Sequence, residues 1–221
     1  MPEEHRLKLN PKKDLTYRFF AGLVALLSRV LFRPEVIGVE NIPIDGPVLL
    51  APIHRSNVDF AFTLFISSRK VFFMAKDSLF KVPALGSLLA RLGAFPVKRG
   101  TADRDSMADA EDVLRQGQVL VLFPEGTRKE GPLVEPLHDG AMFIASRTGA
   151  RVVPIGIGGS EEAMPKGAKL PRFARIRIVI GEPIEPPTAE GRISRSLIAS
   201  KTEELRSALQ MVYSASMKER S

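Results

Sequence analysis

The sequence has 221 residues, of which 44% are hydrophobic and 26% charged, so the chain can bury a sizeable core. It contains no cysteine, which excludes disulfides, thiolate nucleophiles and sulfur ligands for metals. The net charge is +7, and the basic surplus is concentrated in residues 1–33 and 163–181. These two patches predict an anionic partner such as a membrane surface or a phosphate group. Nucleic acid is disfavoured as a partner because tryptophan is absent and only two tyrosines occur.

The first predicted helix covers Leu15–Phe32 and is almost wholly apolar. Its longest unbroken apolar run, residues 19–27, is well short of the roughly 20 residues that a membrane-spanning helix needs. At the helical period, Arg18 and Arg29 fall on one narrow stripe, and large apolar side chains cover most of the remaining surface. This pattern favours a helix lying in the membrane interface with its arginines at the lipid headgroups. Packing of the same helix on the protein's own core is the alternative.

Beyond Pro34, short β-type runs alternate with helical stretches. Strands are predicted at residues 35–40, 47–51, 71–75, 94–98, 118–123, 151–157 and 174–180. Helices are predicted at residues 58–67, 84–92, 102–116, 137–148 and 195–217. This alternation predicts an α/β fold with a mostly parallel central sheet flanked by helices. We expect residues 1–33 to form a basic N-terminal segment that carries the interfacial helix, and residues 34–221 to form a single domain.

A histidine and an aspartate follow the second predicted strand. Inside one helix, His54 and Asp59 would point about 140° apart, so they meet only if His54 precedes the helix and Asp59 lies in its first turns. A carboxylate on one imidazole nitrogen fixes the tautomer, and the other nitrogen is then free to take a proton from a substrate hydroxyl. The pair therefore indicates a general base. The alternative is a structural histidine with satisfied hydrogen bonds.

Cations follow two further predicted strands. Lys98 and Arg99 stand beside a glycine at the end of one strand, and Arg128 follows Glu125 after the next. Guanidinium groups bind phosphate through paired hydrogen bonds and stay charged across the pH range. Because strand ends meet at one edge of an open α/β sheet, these groups and the histidine predict one pocket for a phosphorylated substrate with a reactive hydroxyl. For each arginine taken alone, the alternative is a solvated surface charge.

Four segments resemble the four motifs of the glycerophospholipid acyltransferases, in the same order along residues 35–182. They are His54-Arg55-Ser56-Asn57-Val58-Asp59 for the HX4D motif, residues 93–99 for the second motif, Phe123-Pro124-Glu125-Gly126-Thr127-Arg128 for the FPEGTR motif, and Val152-Val153-Pro154-Ile155 for the fourth. The resemblance implies transfer of a fatty acyl group from a thioester, on coenzyme A or acyl carrier protein, to a lysophospholipid hydroxyl. The expected acceptor is 1-acylglycerol-3-phosphate, and the expected product is phosphatidate.

The resemblance also implies roles for particular residues. His54 is the expected base and Asp59 its orienting partner. The substrate-binding residues expected for the acceptor phosphate are Lys98, Arg99, Glu125, Gly126, Thr127 and Arg128. The enzyme is expected to work without a metal or other cofactor, as a peripheral or monotopic protein on the cytoplasmic face of the membrane. Two alternatives are acylation of a different lysophospholipid or glycerolipid, and a non-catalytic membrane module that binds lipid in the same pocket.

Other chemistries fit the sequence less well. Ser56 lies near His54, but no Gly-x-Ser-x-Gly elbow presents a nucleophilic serine. A thioester is already activated, so direct attack by the acceptor oxygen needs no acyl-enzyme. His5 and His138 do not lie in strand-end motifs like that of His54, so we interpret them as structural or surface residues. Three scattered histidines without cysteine make a dedicated metal site improbable. Backbone N–H groups in the turns around His54 and Gly126 are candidates to stabilise the oxyanion.

Overall fold

The computed structural model describes residues 15–97 and 104–218, which are organised around one seven-stranded sheet. The strands are β1 (Glu35–Ile37), β2 (Val48–Pro52), β3 (Val71–Lys76), β4 (Ala94–Val97), β5 (Val119–Val121), β6 (Arg151–Gly158) and β7 (Arg177–Ile180), and they lie across the sheet in the order β1-β7-β6-β2-β5-β3-β4. Each corresponds to a strand predicted from the sequence. The first is shorter than predicted because Gly38 adopts a φ of 81° and the chain enters a 3-10 turn at Val39–Asn41.

The sheet is mostly parallel, which confirms the predicted fold class. Strands β2 to β6 all run in one direction, and the two at one end of the sheet run the other way. β7 pairs antiparallel with β6, and β1 pairs parallel with β7. Every residue of the central strand β2 is buried, as expected for a strand whose two faces are both covered.

Seven helices accompany the sheet in the described part of the chain. They are α1 (Leu15–Phe32), α2 (Asp59–Ile66), α3 (Pro83–Arg91), α4 (Arg104–Arg115), α5 (Gly140–Thr148), α6 (Ser160–Ala163) and α7 (Arg195–Met217). The sequence predicted all except the one-turn helix α6. Helix α5 begins at Gly140 rather than at Leu137, because the chain after β5 stays irregular and the N–H of His138 donates back to the carbonyl of Pro124.

Two glycines of β6 allow helix α7 to lie directly on the sheet. A Cβ at Gly156 would overlap the backbone of Val212, and a Cβ at Gly158 would overlap the backbone of Ser216. Leu205 and Leu209 of α7 are fully buried in the same interface. Any larger residue in these two strand positions would push the helix outward, so this pair of glycines fixes how closely α7 packs.

Helix α1 has three distinct faces. Tyr17, Ser28 and Phe32 are buried against the domain, where the Tyr17 hydroxyl accepts a hydrogen bond from the N–H of Val71 at 3.2 Å. Arg18 and Arg29 lie on a solvent-exposed stripe. The third face is apolar and exposed, and it carries Leu15, Phe19, Leu23, Leu26, Leu27 and Val30. The helix therefore packs on the core, as one alternative expected, and it still presents the exposed apolar face that the interfacial alternative requires.

One edge of the sheet gathers the ends of many elements. The parallel strands β2 to β6 all finish there. Strand β7 begins at the same edge because Arg177 pairs with Gly158 at the end of β6, and β1 begins there because Glu35 pairs with Arg177. We call this the site edge, since the residues that follow β2 and β5 form the candidate site.

Candidate active site

The turn after β2 brings His54 and Asp59 together. His54 follows the strand, and Asp59 is the first residue of α2, which is the arrangement that the spacing required. The His54 Nδ1 atom lies 3.2 Å from the Asp59 Oδ2 atom. The imidazole is partly accessible, with 20% of its side chain exposed, whereas the Asp59 carboxylate is completely buried.

The Asp59 carboxylate also holds the turn in shape. Its Oδ2 atom accepts hydrogen bonds from the N–H groups of Arg55, at 2.7 Å, and of Ser56, at 2.6 Å. Its Oδ1 atom is buried and has no hydrogen-bond partner among the described residues. Asp59 thus orients both the imidazole and the backbone that carries it.

The imidazole of His54 is held on its face as well as at its edge. The ring of Phe123 packs against it, with 4.1 Å between the ring centroids and 30° between the planes. Because Asp59 occupies Nδ1, the neutral tautomer carries its proton there and offers the Nε2 lone pair to a substrate. No described side chain forms a hydrogen bond with Nε2. The geometry suits proton abstraction from a hydroxyl at the site edge.

A buried ion pair joins the HX4D turn to the FPEGTR turn. Arg55 Nη1 lies 2.8 Å from both carboxylate oxygens of Glu125, and neither side chain is exposed. Glu125 Oε2 additionally accepts the N–H of His54 at 2.9 Å. The remaining donors of Arg55 reach the carbonyls of Gly131 and Leu133. Glu125 is therefore committed to protein groups, and it locks the backbone of the histidine to the neighbouring strand end.

The FPEGTR turn depends on its glycine. Gly126 has a φ of 71°, and a Cβ there would lie 2.9 Å from the ring of His138. Thr127 and Arg128 follow on the exposed side of the turn. Gly126, Thr127 and Arg128 thus lie in a segment whose two flanking residues, Glu125 and Lys129, bond the His54 backbone, while Lys98 and Arg99 lie outside the described residues.

The backbone N–H groups at the centre of these turns are already engaged. Those of Arg55 and Ser56 donate to Asp59, and that of His54 donates to Glu125. The N–H of Gly126 donates to the carbonyl of Phe123, and the N–H of Thr127 donates to that of Glu125. None of these five groups is free to bind an oxyanion in this conformation.

A cavity of about 260 Å³ opens beside the turns. Its lining residues are Arg55, Arg128, Lys129, Glu130, Glu161, Pro165 and Lys166. Lys129 pairs with Glu135, and Lys166 pairs with Glu130, each at 3.1 Å. Arg128 has no acidic partner in the described part of the chain. The cavity therefore offers an unneutralised guanidinium, and it is lined by Arg55, the residue that follows His54 in the chain.

Several site residues were not assigned by the sequence analysis. Arg55 and Phe123 stand inside the two recognised motifs, so their position was a usable signal. Glu161 and Tyr213 come from distant segments and left no signal in the sequence. The Arg55 guanidinium lies 5.0 Å from the centre of the Tyr213 ring and 3.8 Å from the Glu161 carboxylate. Burial raises the pKa of Glu161, an effect that Arg55 partly offsets.

The described residues contain no cluster of three His, Asp or Glu side chains suited to a metal ion.

Comparison with known proteins gives the site a context. The family model described as Acyltransferase matches residues 33–158, which is more than half of the chain and includes all four motif segments. The chain belongs to the Acyltransferase family. This confirms the resemblance drawn from the motifs.

Several curated relatives of this acyltransferase-family chain are named 1-acyl-sn-glycerol-3-phosphate acyltransferase. The chain is similar to the chloroplastic 1-acyl-sn-glycerol-3-phosphate acyltransferase LPAT1 of Arabidopsis thaliana, with 29% identity over 83% of this chain and 53% of the plant protein. It is also similar to BAT2 of Brassica napus, with 31% identity over 76% of this chain and 50% of that protein. The chain spans about half the length of these plant relatives. The 1-acyl-sn-glycerol-3-phosphate acyltransferase of Bacillus subtilis is 29% identical over 86% of this chain and 92% of that protein.

A solved structure shares the fold. The 1-acyl-sn-glycerophosphate acyltransferase PlsC from Thermotoga maritima superposes with a TM-score of 0.74, at 23% identity, over 96% of this chain and 86% of that one. The similarity extends over nearly the whole of this chain, so the fold described above is a known architecture.

Proposed function

We propose that this protein is an acyltransferase that moves a fatty acyl group from a thioester to the free hydroxyl of 1-acylglycerol-3-phosphate, giving phosphatidate. The observation that carries the proposal is the buried Asp59 carboxylate on Nδ1 of a partly exposed histidine beside a cationic cavity. The names of the curated relatives support the same activity. Coenzyme A and acyl carrier protein are both proposed donor carriers, with no metal or other cofactor.

In the proposed reaction, the acceptor oxygen attacks the thioester carbonyl carbon while His54 Nε2 takes the hydroxyl proton. The negative charge of Asp59 stabilises the imidazolium that forms. Collapse of the tetrahedral intermediate breaks the carbon–sulfur bond, and the departing thiolate takes the proton from His54. The products are an ester and a free thiol, and the histidine returns to its neutral form.

The acceptor phosphate is proposed to bind at the cavity through Arg128, together with Lys98 and Arg99 and the exposed turn at Gly126 and Thr127. Glu125 acts differently in this proposal. Both of its oxygens already bind Arg55, and one of them also binds the His54 N–H, so Glu125 positions the base rather than touching the phosphate.

The proposed location is the cytoplasmic face of a membrane, reached through α1. By length and composition α1 could cross a bilayer. However, Tyr17 and Phe32 are nearly completely buried in the domain, so one face is committed to protein. We infer that α1 lies in the interface and inserts its exposed apolar face. Membrane contact by α1 is better tested by substituting Phe19 on the exposed face than by deleting the helix, because deletion also removes the buried residues Tyr17 and Phe32.

The proposed function is tested by a matrix of donors and acceptors. Purified protein is mixed with acyl-coenzyme A or acyl carrier protein and with lysophosphatidate, lysophosphatidylcholine or glycerol 3-phosphate, and free thiol is measured. We expect thiol release to be fastest with lysophosphatidate, with phosphatidate as product, and to be ~10²–10⁴-fold slower with His54→Ala. Preference for an acceptor without a phosphomonoester would overturn the acceptor assignment. Absence of thiol release in every combination would leave a lipid-binding module.

A further inference from the structure

The loop between α6 and β7 carries a charged and apolar surface that catalysis does not use. We define the basic loop as residues 164–176. We propose that this loop is a second membrane contact, distinct from α1, which inserts Leu170 and Phe173 among the headgroups of an anionic bilayer. The inference rests on the proposed function in one respect only: if the substrate is a lysophospholipid, the membrane that the loop contacts is also the source of the substrate.

The composition of the basic loop suits an anionic interface. Leu170 is 77% exposed and Phe173 is 79% exposed, which is unusual for such large apolar side chains. Lys169 and Arg172 stand next to them and are exposed. Neither cation has an acidic partner among the residues that the structure describes. Apolar side chains flanked by free cations can bury the former in lipid and keep the latter at the phosphates.

The basic loop is anchored at several points. The N–H of Arg172 donates to the carbonyl of Ala163 at 2.7 Å. The N–H of Ala174 donates to Leu31 at 3.3 Å, and the N–H of Ile176 donates to Phe32 at 3.0 Å. The loop is thus tied to the last turn of α1. The apolar face of α1 and the basic loop can therefore share one lipid surface.

The first residues of the loop reach the candidate site. The Ser56 hydroxyl of the HX4D turn donates to the carbonyl of Met164 at 2.8 Å. Pro165 and Lys166 line the cationic cavity. The loop then ends at β7, which begins at the site edge. A membrane bound by the basic loop therefore lies at the edge where the cavity opens, and the acceptor can reach His54 without leaving the lipid surface.

A lipid surface fits the loop better than an acidic carrier protein does. Both would complement the cations, but a bilayer also accommodates separate apolar insertions from the loop and from α1 without specific pockets. Exposed apolar residues also follow two other strands that finish at the site edge: Val82, after β3, is 54% exposed, and Leu133, after β5, is 70% exposed. Binding of the loop to carrier protein but not to vesicles would contradict the proposed membrane contact.

The sequence permits a direct spectroscopic test, because it contains no tryptophan. Phe173→Trp places one fluorophore at the tip of the basic loop with little change in shape. The full-length variant is titrated with vesicles of phosphatidylcholine and phosphatidylglycerol. We expect the emission to shift to shorter wavelength and to be quenched by lipids brominated on their acyl chains.

Two further single-tryptophan variants provide the comparison. Phe19→Trp reports contact by α1, and Ile44→Trp lies just before β2, at the edge opposite the site edge, on a residue that is 81% exposed. We expect a shift from Phe19→Trp and none from Ile44→Trp. A shift from Phe19→Trp with unchanged Phe173→Trp emission would overturn the proposal. So would a shift from Phe173→Trp with carrier protein but not with vesicles.

The charge contribution is measured separately. Lys169→Ala and Arg172→Ala should each weaken binding to vesicles rich in phosphatidylglycerol about fivefold at low salt, and leave binding to pure phosphatidylcholine unchanged. Equal binding of both variants and wild type to anionic vesicles would count against the loop. None of these readouts needs turnover. An inactive protein that still inserts Phe173→Trp would refute the proposed function and retain the membrane contact.

Discussion

The two turns that hold His54 and the rim of the cavity beside them are built in opposite ways. In the turns, Asp59, Arg55 and Glu125 are buried and bonded to one another or to the backbone. On the rim, Arg128 is exposed and lacks an acidic partner in the described chain. The rigid region fixes where a proton can be taken, and the open region leaves a charge available for a ligand. Substitutions in the first should lower rate or stability, and those in the second should lower affinity.

The sharpest test of the rigid region is His54→Ala. Loss of the general base should lower turnover by ~10²–10⁴-fold, while acceptor binding at the rim survives. Steady-state kinetics and acceptor binding are measured on the folded variant, with His5→Ala as the control. Near-normal turnover of His54→Ala would defeat the assignment of the base.

Glu125→Gln should lower stability more than any change on the rim. It removes the closer of the two carboxylates that face the buried Arg55 guanidinium and leaves Glu161 at 3.8 Å; breaking a buried pair typically costs about 3–5 kcal/mol. The free energy of unfolding is measured by urea titration. Glu203→Gln is the matched control, because it breaks an exposed pair with Arg206 and should leave the transition midpoint in place. A small loss from Glu125→Gln would mean that Arg55 finds another partner.

Asp59→Asn should lower turnover by ~10²–10⁴-fold, because the amide no longer stabilises the imidazolium and can hold the wrong tautomer. Packing of Phe123 on the imidazole should preserve the position of the ring. Turnover at saturating acceptor and the Michaelis constant for the acceptor are both measured, and each is compared with its wild-type value. If the Michaelis constant changes and turnover does not, Asp59 serves the binding region instead.

Arg128→Ala tests the open region. A lost hydrogen bond to a charged group is worth ~1.5–3 kcal/mol, so the Michaelis constant for the phosphorylated acceptor should rise about tenfold or more. The constant for the thioester should change little. Arg195→Ala, an exposed arginine at the start of α7, provides the comparison. Equal changes for donor and acceptor would argue against a phosphate site at this residue.

The smallest effect is expected at Glu161, which touches both regions. Its pKa is raised by burial, so ionisation is less favourable in the folded than in the unfolded protein. The stabilisation that comes from protonation of Glu161 is therefore fully present below the ordinary glutamate pKa of 4.5. It is lost as the pH rises through the higher pKa that Glu161 has in the folded protein. Glu161→Gln should match wild type in acid and become slightly more stable near neutrality. Thermal unfolding across this pH range checks the sign.

The sequence was sufficient to predict the contact between His54 and Asp59, because their spacing places one before α2 and the other at its start. HX4D and FPEGTR both follow apolar parallel strands, so their position at one edge of the sheet was also predictable, whereas the substrate-binding roles of Lys98, Arg99 and Arg128 stay predictions. The pairing of Arg55 with Glu125 was not predictable, because nothing in two separate motifs shows which charges face inward. The reversed direction of β7 was also missed, since the alternation of elements does not reveal the course of the loop before it.

The close packing of α7 has a consequence for the order in which the site is completed. All four motif segments lie within residues 33–158, and α7 is synthesised later. Until α7 has packed on the sheet, the surface of β6 around Gly156 and Gly158 is uncovered, and Arg55 lacks its contact with the Tyr213 ring. A nascent chain that already contains every motif therefore still exposes apolar sheet surface, of the kind that chaperones cover and that aggregates when left uncovered. The last helix, which carries no motif, converts that fragment into a finished site.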